Sequence, residues 1–203
     1  MAEIQYRAMT AADIGRVPLD CHGGREALAD RLADLGSAAI LAFDGEQHVG
    51  QLQFRRHDPK LRSPAGIESP DYWGDFGDIH VDLPERTVGL FCYHVGQLNE
   101  GFDRDTRYQG RGIGSGLLDH FLVWAKSHGV EAVVAKSVPS RRDVMAFMGG
   151  QPSGVYTARG FEQIATWRDA QLREVLLARR MIDVEADADA LATVGMCVRR
   201  FSA

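Results

Sequence analysis

The residues best placed to do chemistry lie in one stretch, Arg107-Tyr108-Gln109-Gly110-Arg111-Gly112-Ile113-Gly114-Ser115-Gly116-Leu117-Leu118. It reads as a glycine-rich turn that opens directly into an amphipathic helix. Glycine at 110, 112, 114 and 116 leaves the backbone almost bare, so a ligand can come close to the amides. At a helix start those N–H groups are unpaired and the macrodipole is positive, which suits a phosphate or pyrophosphate. A glycine-rich connection made only for tight packing is the plainer alternative. A nucleoside-triphosphate loop would place Gly-Lys-Ser/Thr at the helix start, and no lysine stands here. A dinucleotide fingerprint needs G-x-G-x-x-G straight after an apolar strand, whereas these glycines follow the polar segment Gly101 to Tyr108 with a different spacing. Both nucleotide readings fail.

What remains resembles the GNAT superfamily of N-acetyltransferases. Their cofactor loop reads Gln/Arg-x-x-Gly-x-Gly/Ala, and Gln109-Gly110-Arg111-Gly112-Ile113-Gly114 fits it at every fixed position. A second match is Tyr156-Thr157-Ala158-Arg159-Gly160-Phe161, similar to the family's Tyr-x-x-x-Gly-Phe, which closes a helix lying along the pantetheine arm. The resemblance covers Thr87 to Trp167 well and the rest loosely. It implies an α/β fold, a GNAT-like mixed and splayed β-sheet with helices on both faces. It implies an enzyme that moves an acetyl group from acetyl-coenzyme A to a primary amine, by direct attack in a ternary complex and without a metal. In that reading backbone amides of Arg111, Gly112, Ile113, Gly114 and Ser115 anchor the pyrophosphate. Gln109 orders the loop, Gly110 counts among the cofactor-binding residues, and the Arg111 side chain either adds a charge-assisted contact or points to solvent. The thioester oxygen meets a backbone N–H near His94-Val95, and the coenzyme wedges between that strand and Val130 to Val138.

Such a transfer needs the pyrophosphate anchored, the carbonyl polarised, the amine deprotonated and the leaving thiolate protonated. Tyr156 is the general-acid candidate, since a phenol of pKa about 10 stays protonated at neutral pH yet can donate to a thiolate. An aromatic packing residue before Gly160-Phe161 is the alternative. His94 has the intrinsic pKa for a base near neutrality. His80, Asp82 and Glu85 are rivals, and a water chain would need none of them. Cys92 as an acyl-carrying nucleophile is disfavoured, because an apolar strand raises a thiol's pKa and direct transfer needs no such residue. In Asp71-Tyr72-Trp73-Gly74-Asp75-Phe76-Gly77-Asp78 the acids and aromatics could hold a cationic amine, with Asp71, Tyr72, Trp73 and Asp75 the contacts. Equally, the aromatics could cover the core edge while the acids are solvated. A non-catalytic acyl-coenzyme A binding or sensing module would keep the glycine loop while lacking an acid or base.

The elements that must position these residues follow from periodicity. Ile4, Tyr6 and Ala8 alternate as a strand, and Thr10 with Asp13 signals a helix cap. Leu28, Leu32 and Leu35 keep helical spacing up to Gly36. Ala38 to Phe43 and His48 to Arg56 read as a hairpin through Asp44-Gly45. His57 to Arg86, with four prolines, shows little sustained periodicity and reads as a long functional or disordered loop. Thr87 to Val95 is a strand, with Val88, Leu90, Cys92 and His94 on one face. After the glycine turn, Leu117, Phe121 and Trp124 stripe a helix ended by Gly129, and Val130 to Val138 makes a parallel strand, a βαβ-like unit. A short helix around Met145, a second carrying Tyr156 and a strand over Phe161 to Trp167 follow. Asp169 to Ile182 is helical, Asp183 to Asp189 is an acidic connection, and Thr193 to Phe201 is the last strand. The stretches 96–106 and 168–191 read as insertions relative to the family.

At 203 residues the chain suits a single domain over 1–203. Hydrophobic residues at 45%, charged residues at 25% and a net charge of −5 fit a soluble globular protein and argue against a nucleic-acid binder. Cys21, Cys92 and Cys197 are far apart and form neither a disulfide framework nor a zinc site. No apolar run approaches a membrane span, and the N-terminus lacks a signal-peptide core, so a cytoplasmic setting is expected. The expected partner is a small-molecule or peptide amine, with a homodimer open through the C-terminal strand.

Overall fold

The computed structural model describes residues 3–18, 24–101, 103–182 and 185–202. β1 (Ile4–Ala8) buries Ile4, Tyr6 and Ala8 more than Gln5 and Arg7, as the alternation requires. At Thr10 the backbone N–H and the hydroxyl both donate to the Asp13 carboxylate, at 2.8 and 3.0 Å. The cap is real, but it starts only a single 3-10 turn, Ala11–Asp13. Arg7 reaches back and closes a two-pronged ion pair on the same carboxylate, at 2.6 and 2.8 Å. Burial works to raise the Asp13 pKa, and the Arg7 and Thr10 donors outweigh it, holding the group at about 2.

α1 (Gly24–Leu35) stops at Gly36, whose φ of +77° suits only a residue without Cβ. β2 (Ala39–Asp44) and β3 (Gln47–Arg56) then pair antiparallel around a turn at Gly45. Strand alternation sends their side chains to opposite faces. Ala39 and Leu41 pack with Leu28 of α1 and with Met9. Phe54 of β3 instead meets Phe121 and Trp124 at ring distances of 4.9 and 4.4 Å, both on α2 (Ile113–Ser127). Helices therefore cover both faces of this hairpin. The broad apolar stripe predicted for α2 is buried from Ile113 to Ala125.

β4 (Thr87–Val95), β5 (Ala132–Ser137), β6 (Glu162–Arg168) and β7 (Thr193–Arg200) complete a mixed sheet in the order β1-β2-β3-β4-β5-β7-β6. β4 and β5 run parallel from Thr87↔Ala132 to Leu90↔Ala135, which gives the expected βαβ unit. β7 is antiparallel to both β5 and β6. The chain divides into two compact units, Met1–Arg56 with Cys92–Val130, and His57–Phe91 with Glu131–Ala203.

In the second unit, α3 (Arg142–Met148) ends at the left-handed Gly149, and α4 (Ser153–Thr157) carries the buried Tyr156. α5 (Ala170–Ala178) is capped by Asp169, whose carboxylate accepts the Leu172 N–H at 2.9 Å. The acidic stretch read as a connection holds a further helix instead, α6 (Glu185–Leu191). Its alternating alanines have high helix propensity, and that outweighs the acidic residues between them. The irregular region before β4 is also more ordered in purpose than its composition suggests. Phe76, with Ile79, Val81 and Leu83, packs on Val134, Met196 and Val198, so this aperiodic segment covers one face of β5 and β7.

Candidate active site

The glycine turn is held at both ends by backbone geometry. Gly96, directly after β4, donates its N–H to Val49 O and accepts from Asp105 N, each at 2.8 Å. Its φ is +82°, and a Cβ there would run into the Asp105 backbone. Asp105 then caps a 3-10 turn, Thr106–Tyr108, by accepting the Arg107 N–H, and its carboxylate pairs with the Arg107 guanidinium at 2.6 Å. Sequence reasoning missed Gly96 and Asp105. The only available signal was the Val-Gly step at the strand's end.

The four glycines of the loop divide into different tasks. Gly110 and Gly112 have φ of +71° and +76°, and no atom lies within 4 Å of where their Cβ would stand. They are left-handed turns facing open space. Gly112 is the N-cap of α2 and makes no side-chain cap. The first bond of the helix runs from Gly116 N to Gly112 O, at 2.9 Å, so the amides of Gly112, Ile113, Gly114 and Ser115 have no acceptor within α2. Gly114 lies inside the helix and is not among the left-handed glycines; strain from a side chain belongs to Gly110 and Gly112. Gly116 is a packing glycine, pressed against the Tyr6 hydroxyl with no room for a Cβ. Arg111 lies over the Tyr108 ring at 5.4 Å, and its Nη1 is buried without a hydrogen-bond partner. Open amides, an orphan guanidinium N–H and uncovered left-handed glycines together fit an anionic group such as a pyrophosphate.

At the end of β4 the expected alternation is interrupted. Cys92 has a φ of +53°, a left-handed conformation costly for a residue with a side chain. Its Sγ lies 2.8 Å from His94 Nε2. His94 Nδ1 in turn lies 3.0 Å from Arg104 Nη2. A guanidinium only donates, so Nδ1 accepts and the imidazole proton is assigned to Nε2. Both ring nitrogens of His94 are thus engaged. His48, buried on the neighbouring strand, has its pKa lowered to about 4, chiefly by burial. Val95, half-buried, ends the strand. Gln109 is half-buried, and its N–H donates to Thr106 O.

The remaining predicted residues belong to the second unit. Tyr156 is 1% exposed, and its ring packs against Phe161 at 5.3 Å. Gly160, at φ +78°, turns the chain between them. Tyr72 and Trp73 are buried, at 3% and 7% exposure. Asp75 accepts the N–H groups of Ser63 and Gly77, both at 2.9 Å, so its carboxylate ties the loop together. Burial pushes the Asp75 pKa up, but these two donors and Lys136 prevail and hold it low. Asp71 is half-buried at the start of the 3-10 turn Pro70–Gly74.

A residue that sequence reasoning passed over is Lys136 on β5. Its Nζ donates to Tyr72 O and sits 3.7 Å over the Tyr72 ring, with Phe76 and Trp167 at 5.7 and 5.6 Å. Burial lowers its pKa to about 8, although Asp169 and Asp75 pull the other way. Tyr72 Oη is buried and faces the Asp169 carboxylate. Burial and the Asp169 carboxylate raise the pKa of that phenol. Beside this cluster lies a cleft of about 230 Å³ lined by His57, Phe76, His80, Asp82 and Met196, among others. Among the described residues no group of three His, Cys, Asp or Glu could hold a metal, and no helix is long and apolar enough to cross a membrane.

The sequence model of the acetyltransferase (GNAT) family matches residues 15–149. That is more than half of the chain, and the chain belongs to this family of acetyltransferases. No curated protein matches it. Among solved structures, an acetyltransferase of the GNAT family from Streptococcus pneumoniae is 14% identical with a TM-score of 0.53, over 98% of this chain and 100% of that one. A Bacillus subtilis acetyltransferase in complex with CoA is 14% identical with a TM-score of 0.50, over the full length of both. The ribosomal-protein-S18-alanine N-acetyltransferase from Escherichia coli is 11% identical with a TM-score of 0.53, over 99% and 96%. These likenesses agree with the mixed, open sheet described above.

Proposed function

We propose that this chain transfers the acetyl group of acetyl-coenzyme A to a primary amine, by direct attack within a ternary complex. The observation that carries the reading is the joined pair of β4 end and glycine turn. The tie between Gly96 and Asp105 fixes the open amides of α2 at a set distance from Val95. Amides of Arg111 to Ser115 hold the pyrophosphate in this reading, the orphan N–H of Arg111 adds to them, and backbone near His94-Val95 polarises the thioester. The coenzyme brings an activated acetyl group; the chain's residues orient it and manage protons.

Tyr156 donates the proton to the leaving thiolate, a role compatible with its buried ring. His94 can take the amine's proton at Nδ1 only once Arg104 has swung away, because that lone pair is in use. The proposal therefore ties the base to the movement of one guanidinium. For the amine, the acidic and aromatic segment around Asp71 to Asp75 acts through the shape it gives the second unit, since Tyr72, Trp73 and Asp75 are committed to packing and loop contacts. The test is release of free coenzyme A, followed spectrophotometrically across polyamines, amino acids, aminoglycosides and peptides with a free N-terminus or lysine. Turnover above background hydrolysis with one class supports the reading. Binding of acetyl-coenzyme A with no turnover across the panel refutes the amine acceptor.

A further inference from the structure

The aperiodic segment before β4 does more than cover the sheet. From Ile79 to Leu83 apolar and polar residues alternate: Ile79, Val81 and Leu83 are half-buried against Phe76, Met196 and Val198, while His80 and Asp82 are exposed. This strip, with Phe76 and Met196, lines the cleft of about 230 Å³. At about 30 Å³ per water that is the room of about eight waters, enough for one ring with a two-carbon tail and too little for a nucleotide or an aminoglycoside. The two ends of the cleft are fixed along β7. Met196 pairs with Lys136, the first residue of β5 beyond the β4–β5 ladder, which ends at Leu90↔Ala135. Arg200 pairs with Ala132 and donates to the Asp82 carbonyl, at 3.1 Å. From Met196 to Arg200 the strand runs roughly 13 Å. β7 also fixes the face. Arg199 donates to the carbonyl of Arg159, just past α4, so by alternation Met196 and Val198 point away from α4 and Tyr156. Of the residues lining the cleft, Asp82 is the single carboxylate and none is lysine or arginine. Among the described residues nothing pairs with that carboxylate.

We propose that this cleft is the acceptor subsite, and that it takes an arylalkylamine whose ring carries a hydrogen-bond donor at the end away from the amine. The proposal rests on the reading that the coenzyme lies where β4 and β5 part. The amine then lies at the Met196 end, beside that parting, and the ring packs on Phe76 among the half-buried apolar residues. The donor, a phenol hydroxyl or an indole N–H, meets Asp82, since a carboxylate only accepts. A polyamine would instead set charged nitrogens against Ile79, Val81 and Leu83, at a desolvation cost. Lys136 carries its own charge at the Met196 end, and a like charge there favours the neutral, nucleophilic form of the amine. The amine nitrogen bonds to the acetyl carbon as the bond from that carbon to the coenzyme's sulfur breaks. Of the three protons on the starting ammonium, one stays on the amide, one replaces the proton that Tyr156 gives to the sulfur, and one is released.

Tyramine and phenethylamine differ only in the hydroxyl that would meet Asp82. With free coenzyme A present, which cannot acetylate them, calorimetry should show tyramine binding at least about fivefold tighter, the strength of a hydrogen bond to a carboxylate at an open rim. Spermidine should compete with neither. Asp82→Ala should bring tyramine down to phenethylamine and leave phenethylamine unchanged. Val81→Trp fills the cleft from a half-buried position and should abolish binding of both amines while coenzyme A affinity holds. Equal affinities in the wild type overturn the proposal, and so does a preference that survives Asp82→Ala. Tyramine bound in this way but not converted to N-acetyltyramine by acetyl-coenzyme A overturns the cleft as the acceptor subsite. Turnover of another class of amine with no binding of tyramine overturns the proposal and leaves the amine-transfer reading standing. No turnover with any amine overturns both.

Discussion

Gly112 is where the cofactor assignment is most exposed to experiment. Its φ of +76° makes it a left-handed N-cap, and nothing lies within 4 Å of its absent Cβ. Gly112→Ala therefore meets no clash, and its cost to the fold is backbone strain alone, roughly 1–2 kcal/mol. For a chain of this size that lowers the Tm by roughly 2–8 °C. The added methyl also stands beside the open amides at the head of α2, where the pyrophosphate is placed. Acetyl-coenzyme A at a hundred times its Kd stabilises the wild type by about 2.7 kcal/mol, a Tm rise of roughly 5–11 °C. At the same concentration the variant should show little of that rise. Scanning calorimetry with and without the ligand separates the two effects. A variant that loses stability as expected but keeps the full ligand-induced rise refutes the loop as the coenzyme site. A variant with no loss refutes the left-handed conformation at 112.

Tyr156→Phe should lower kcat by about 10²- to 10⁴-fold with near-normal coenzyme affinity, and wild-type turnover would reduce Tyr156 to its contact with Phe161. Lys136 titrates at about 8 in the fold against 10.5 for an ordinary lysine. The unfolded chain thus binds more protons between those values, and stability from this group rises with pH across the window. Lys136→Met should flatten that rise in Tm, and an unchanged slope would refute the buried charge. Asp13 gives the same rise with pH in an acid window: its pKa of about 2 against 3.8 gives stability that is present above 3.8 and lost as pH falls toward 2. Discounted for the half-exposed Arg7, Asp13→Asn should cost about 1–2 kcal/mol at neutral pH, read by urea titration, with the gap to wild type closing in acid.

Periodicity located the strand, glycine turn, helix and strand from Thr87 to Val138 to within a few residues because each repeats a pattern over many positions. Contacts made once, between residues far apart, left no such trace. Lys136 and Tyr72 lie 64 residues apart, and a lysine inside a valine-rich strand carries no sign of the aromatic rings above it. The turn of Cys92 into the left-handed region could not be read either, since that conformation is usually announced by glycine or asparagine. For the same reason the alternation placed His94 and Cys92 on one face but said nothing of the sulfur–imidazole contact or of Arg104. Among the glycines, spacing found all four, whereas only backbone geometry separates the two that face open space from the one pressed on Tyr6.

The Gly96–Asp105 clasp has a consequence for how such a chain can vary. A hydrogen bond from Asp105 N to Gly96 O closes a ring, so the chain leaves β4 and returns to the glycine turn at nearly the same point. Gln97 is fully buried and its backbone meets His48, so residues 98–104 are the stretch that can be lengthened, shortened or exchanged as a cassette, with the strand end and the loop both kept in place. Of the described side chains in the cassette, Arg104 reaches back to His94. Natural or designed diversity in that stretch therefore acts on the imidazole through one replaceable guanidinium, while the open amides at the head of α2 stay unaltered.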